Sequence, residues 1–204
     1  MAGRGRPRNF DRMEVLDRAL HTFWRSGFEA TSMNDLVDAM GIVSPSIYAA
    51  FGSKEALFAE AVQHYRAAYA AGLLQALNDA PDAQSGVNAM LNAAIDLFTR
   101  KDTPGGCFVV SATASNCPHN ADMRKTMVQL RCERSDQIAA RLRADVAAGR
   151  LLSDIPVATL ADLFATVLQG LAIGARDGMS KARLRAMLLP ARSMLAGWDK
   201  RDRR

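Results

Sequence analysis

A chain of 204 residues that is 49% apolar and 23% charged can fill a packed core and keep its surface wet, which excludes wholesale disorder. Its three cysteines, Cys107, Cys117 and Cys132, are odd in number and irregular in spacing, and residues 1–12 are basic where a signal peptide is apolar, so reduced thiols and a cytoplasmic location are expected. The longest apolar run, 163–175, is interrupted by Gln169 and falls short of the roughly 20 residues of a membrane span, so no membrane partner is expected.

Strand signals are nearly absent, while helical spacing recurs from Asp11 onward; the fold class is all-α. Residues 1–10 mix Gly, Pro and Arg without period and read as a flexible basic arm. A first helix spans 11–26, with Val15, Leu16, Ala19, Leu20, Phe23 and Trp24 on one face and Gly27 as its stop. The second opens on a capping box, Ser32 to Asp35, and buries Met33, Leu36, Val37 and Met40 before Gly41. Three residues on, Ser44-Pro45 reads as a cap followed by a first-turn proline, starting a short helix with Ile47 and Phe51 inside and Gly52 at its end. Ser53 caps a long connecting helix over 54–78. Further helices are predicted over 84–100, 105–115, 120–148, 156–177 and 181–198, with breaks at Pro104-Gly105-Gly106, Pro118, Gly149 and Gly178. A small domain over 11–58 is thus followed by a larger helical domain over 59–204.

The second and third helices, joined by a glycine turn, have helix-turn-helix spacing: one helix braces across the duplex while the N-terminal end of the other faces base edges. With Ile47 and Phe51 needed inside, the outward positions of the third helix are Ser44, Pro45, Ser46, Tyr48 and Ala49. Their hydroxyls can contact bases or phosphates, and Lys54 opens the next helix where its charge and the free backbone amides both favour a phosphate. Net charge, +5 overall, does not locate this face, because residues 1–80 hold eight Lys or Arg against nine Asp or Glu. The local basic excess is the arm, where Arg4, Arg6 and Arg8 in Gly3-Arg4-Gly5-Arg6-Pro7-Arg8 look like the core of a minor-groove AT-hook.

Residues 23–57, FWRSGFEATSMNDLVDAMGIVSPSIYAAFGSKEAL, resemble the reading head of TetR-family transcriptional regulators. The likeness rests on the aromatic before Gly27-Phe28, on Thr31-Ser32, on Gly41 in the turn, on Ile47-Tyr48 with Phe51, and on Ser53-Lys54-Glu55-Ala56-Leu57. It implies DNA contacts from Ser44, Pro45, Ser46, Tyr48 and Ala49, a phosphate clamp at Lys54, and Thr31 and Ser32 near the DNA backbone. Pro45 stands where a small or basic residue is more usual, and Ala49-Ala50 where a bulkier pair is, so no base preference carries over.

The same resemblance implies a homodimer, a double-stranded operator as partner, no cofactor, and an unidentified small-molecule effector whose binding releases a repressor from a palindromic site. The dimer face is expected at Leu160, Leu163, Phe164, Val167, Leu171, Leu184, Leu188 and Leu195, and the effector cavity among Phe98, Phe108, Val109, Met127, Leu130 and Phe164. Cys107, Cys117, His119 and Cys132 suggest a metal- or thiol-responsive alternative, although the paired CxxC spacing of a firm metal site is missing. A cysteine-dependent enzyme is the rival class; no nucleophile elbow, phosphate loop or HExxH supports it, and no catalytic residue is assigned. An architectural module binding through the arm alone is the third, and it predicts DNA binding that survives deletion of residues 28–52.

Overall fold

The computed structural model describes residues 10–114 and 121–200, which form helices joined by short turns and a single antiparallel bridge between Leu151 and Asp199. Helix α1 (Arg12–Ser26) is capped by the Asp11 carboxylate, which accepts the Met13 and Glu14 amides. All six apolar residues expected on its inner face are buried. Around it pack α2 (Met33–Met40), α3 (Ser44–Phe51) and α4 (Lys54–Ala68). Phe23 meets Phe58 of α4 edge-on at 5.1 Å and stacks on Phe28 at 6.1 Å. Burying each such side chain contributes roughly 1.5–3 kcal/mol, with a further increment from the ring geometry.

The expected helix over 54–78 is two helices. After α4 the chain turns at Tyr69 and Ala70, whose amides both reach the Tyr65 carbonyl, and α5 (Ala71–Asp79) sets off in a new direction. Neither residue is a helix breaker; tertiary contacts impose the turn. Tyr69 is held by a 2.7 Å hydrogen bond from its hydroxyl to Asp17 of α1, while Leu73 and Leu77 are buried where α5 packs on α6 (Ala83–Phe98). The α5–α6 approach is so close that a Cβ on Gly86 would lie 2.4 Å from the Leu77 carbonyl oxygen.

The larger domain is completed by α7 (Phe108–Ala114), α8 (Ala121–Ala147), α9 (Val157–Arg176), α10 (Lys181–Ala186) and α11 (Leu188–Ala196). The expected single helix over 181–198 is broken at Met187. Pro190 explains the break, since its ring would strike the carbonyl of Ala186 one turn earlier and it has no amide to donate. Helix α9 is 20 residues and apolar enough to span a membrane by length and composition, longer than the 163–175 run suggests. Its inner side is buried against α6, α7 and α8. At the foot of the domain the buried Asp145 of α8 accepts the Ala83 amide at 2.6 Å and the Arg150 guanidinium at 2.7 Å, with Arg141 at 3.5 Å.

A second joint ties the two domains. Gly105 accepts the Trp24 indole N–H at 3.1 Å, Gly106 donates to the Phe98 carbonyl at 2.9 Å, and Arg176 at the end of α9 donates to the Trp24 and Arg25 carbonyls at 3.2 and 2.8 Å. The last turn of α1 is thereby capped by a cation from α9.

Candidate nucleic-acid interface and effector cavity

Helix α2 is anchored by the expected capping box. The Ser32 hydroxyl accepts the Asp35 amide at 3.1 Å and donates to the Asp35 carboxylate at 2.7 Å, which also accepts the Ser32 amide at 2.7 Å; the two bonds to the carboxylate, the hydroxyl's first, hold it below its ordinary pKa. Thr31 departs from expectation: it is 1% exposed and its hydroxyl donates to the Gly27 carbonyl at 2.6 Å, so its side chain shapes the turn before α2 and presents nothing to a phosphate. Ser32 itself is exposed.

Ser44 is not the cap of α3. Val43 occupies that extended position, its carbonyl accepting the Ser46 and Ile47 amides, and no side chain caps the helix. Ser44 is therefore the first helical residue and Pro45 the second, which leaves the amide-rich start of α3 uncapped by protein. Ile47 and Phe51 are buried, whereas Pro45, Tyr48 and Ala49 are exposed and Ser44 and Ser46 half-buried, so one face of α3 is held and the other presented. Lys54 is the first residue of α4, and its ammonium sits 4.3 Å above the Phe28 ring. That cation–π contact fixes the charge beside α3. Arg12, at the base of the arm, is turned inward: it pairs with Glu60 at 2.7 Å and lies over Phe51 at 4.5 Å. The arm residues Arg4, Arg6 and Arg8 lie outside the described residues.

From Phe28 an aromatic seam runs into the larger domain. Phe28 meets Phe58 at 5.2 Å, Phe58 meets Phe108 at 5.4 Å, and Phe108 meets Tyr65 at 5.6 Å, itself edge-on to Trp24 at 4.9 Å. Tyr65 then donates its hydroxyl to the Cys107 sulfur at 3.4 Å, on the wall of a cavity of about 80 Å³ that opens to solvent.

Of the residues expected to line an effector cavity, Phe98, Val109 and Leu130 do so. Phe108 and Phe164 are fully buried and fill the core between helices. Met127 faces a separate groove between α4 and the start of α8. The residues missed include the apolar Leu73, Ala165 and Leu168 and the polar Tyr65, Cys107 and Arg134. Arg134 had a sequence signal, since it falls on the same stripe of α8 as Leu130 and Ile138, four residues from each, where an apolar side chain belongs. Of the cysteine set, Cys107 and Cys132 are free thiols, half-buried and exposed, while Cys117 and His119 lie outside the described residues.

Most of the expected dimer face is internal. Leu160, Phe164, Leu171, Leu184, Leu188 and Leu195 are buried within this chain, because α6 packs on α9, α10 and α11 and claims that side. Leu163 is exposed and Val167 half-buried on the opposite side of α9, joined there by exposed Gly170 and Ile173, with Met187 and Leu189 exposed beyond.

Comparison with known proteins covers both domains. The family "Bacterial regulatory proteins, tetR family" matches residues 15–61, and "Tetracyclin repressor-like, C-terminal domain" matches 83–189. The chain is 34% identical over 182 residues to the HTH-type transcriptional repressor ComR of Escherichia coli K12, covering 89% of this chain and 87% of ComR. It is 29% identical over 180 residues to the repressor BdcR of the same organism, covering 88% and 86%. Among solved structures, the TetR family regulator CifR, as a cysteine mutant complexed with 26 bp double-strand operator DNA, superposes with a TM-score of 0.89 at 39% identity, covering 92% of this chain and 98% of that one. With a reading head that turns one face of α3 outward and family matches across both domains, the chain belongs to the TetR family of helix-turn-helix transcriptional regulators.

Proposed function

We propose that this protein is a homodimeric repressor acting in the cytoplasm, which places the two α3 helices of the dimer in successive major grooves of a palindromic operator, about 34–36 Å apart, and leaves the DNA when a small molecule occupies the cavity of the larger domain. The observation that carries the reading is the two-sided α3, with Ile47 and Phe51 locked inside and Ser44, Pro45, Ser46, Tyr48 and Ala49 turned outward beside a Lys54 already held in place. The operator-bound CifR and the two named repressors support it. Coupling of about 1–3 kcal/mol between cavity and reading head suffices for a several-fold to hundred-fold change in DNA affinity.

Selection of random double-stranded DNA by the purified protein tests this directly. A palindromic consensus is expected; enrichment of A·T-rich DNA without one would assign binding to the arm alone. On the selected operator, Lys54→Ala and Tyr48→Phe weaken binding to all sequences, the lysine variant also reducing the dependence of log affinity on log salt by about one, while Ser46→Ala alters base preference. Three variants indistinguishable from wild type would remove α3 from the duplex.

For the dimer we place the contact on the outward strip of α9, Leu163, Val167, Gly170 and Ile173, continued by Leu189. Leu163→Glu with Ile173→Glu should give a folded monomer in analytical ultracentrifugation, with operator affinity reduced at least tenfold. A dimer that persists at micromolar concentration would move the interface elsewhere.

A further inference from the structure

The cavity that the preceding reading assigns to an effector is walled on its apolar side by Leu73, Phe98, Val109, Leu130, Ala165 and Leu168. Arg134 enters this wall from α8, and its Nη1 is buried with no hydrogen-bond partner among the described residues. A guanidinium carries five donors and cannot shed its proton in a protein, so a buried nitrogen without a partner is costly and calls for an acceptor from outside the chain.

The carboxylate in the cavity lining is shared with other cations. Glu133, the next residue, is committed to Arg66 at 3.1 Å and also accepts from Gln129. Tyr65 stays a neutral phenol, because burial and the adjacent Cys107 both push its titration upward. Besides Arg134 the cavity lining holds Arg66, which is paired with Glu133. Gln137 and Gln169 add amide groups at its rim.

We propose that the cavity takes a small monocarboxylic acid in its ionised form, the hydrocarbon part lying on the apolar wall and the carboxylate accepting from Arg134. The planar guanidinium fork matches two carboxylate oxygens, and such a charge-assisted pair forms most strongly where water is excluded. An anion there satisfies the orphaned Nη1 and the Arg134 charge in one event. A neutral alcohol of the same length offers an acceptor but no charge, so the acid should be preferred strongly over it.

The test uses the intact protein with straight-chain monocarboxylates of six to twelve carbons and the primary alcohols of matching length, followed by calorimetric titration and thermal unfolding. At least one acid should bind and raise the unfolding temperature, with the alcohol at least tenfold weaker, and Arg134→Gln should abolish that preference. Acid and alcohol of equal affinity, an Arg134→Gln variant that binds acid as wild type does, or no binding by any acid would each overturn the proposal. Arg134→Met supplies a readout that needs no ligand. A cation kept for binding lowers apo stability, so its replacement should raise the unfolding temperature by a few degrees; a fall would show that Arg134 serves the fold. Operator binding is measured separately, so that an acid which binds without releasing DNA upholds the site and overturns the effector mechanism alone.

Discussion

Replacing Gly106 by alanine is expected to lower the unfolding temperature by roughly 5–15 °C, at about 2–4 °C per kcal/mol for a chain of this size. Gly106 has φ +67°, where an L side chain costs about 1–2 kcal/mol. A Cβ would also lie 2.7 Å from the Ala172 carbonyl oxygen of α9, and that backbone atom cannot move aside as a flexible side chain could. Overpacking of this kind adds about 1–3 kcal/mol. Gly149 provides the comparison: its φ of +70° is nearly the same, but a Cβ there meets nothing within 4 Å, so Gly149→Ala should cost only the backbone share. Equal losses for the two variants in thermal unfolding would show that the approach to α9 contributes nothing. Because Gly105 accepts from the Trp24 indole and Arg176 caps α1, the Gly106 variant should also show faster hydrogen exchange in the last turn of α1.

Asp145→Ala is expected to destabilise by about 3–5 kcal/mol, the loss typical when one partner of a buried ion pair is removed. Asp145 is 1% exposed, and its removal strands the Ala83 amide at the start of α6 and takes an ion-pair partner from Arg150. Arg141, also largely buried, keeps its bond to the Ala80 carbonyl at 3.0 Å. Asp96 joins Lys181 and Arg185 at 2.8 and 2.9 Å but is half exposed, so Asp96→Asn should change stability by about 1 kcal/mol or less. Urea unfolding of both variants checks the contrast; an Asp145→Ala loss no greater than that of Asp96→Asn would mean that water replaces the buried carboxylate without cost.

The reading head was legible because its packing is local. The inward residues of α1, the capping box of α2 and the Ile47–Phe51 pair of α3 each recur at helical spacing within a dozen residues, so pattern alone separates the held face from the presented one. Val43 was missed as the α3 cap because a cap without a side-chain hydrogen bond leaves no polar residue to mark it. The bend at Tyr69–Ala70 was equally invisible, since partners 52 residues away in α1 and across α5–α6 impose it. Pro190 did announce the break before α11, but apolar spacing on either side of it masked the signal. In α9 the apolar residues surround the helix, so composition could not say which side faces inward, and the inward Leu160, Phe164 and Leu171 were assigned to an interface. The cavity depends on long-range contacts, and its polar wall came from residues that a search for apolar lining passes over.

The turn at Tyr69–Ala70 fixes a gear ratio. Fifteen residues of α4 separate it from Lys54, a lever arm of about 22 Å at 1.5 Å per residue. Asp17 holds α4 to α1 at its far end through Tyr69 and through His64 at 3.0 Å, which couples α4 to the head. A rotation of about 10° at the turn then carries Lys54 roughly 4 Å, a third of the approximately 12 Å width of the major groove. Tyr65 lies one helical turn before that bend and Ala70 within it, and both line the cavity, so the rotation that carries Lys54 roughly 4 Å shifts Tyr65 by about 1 Å.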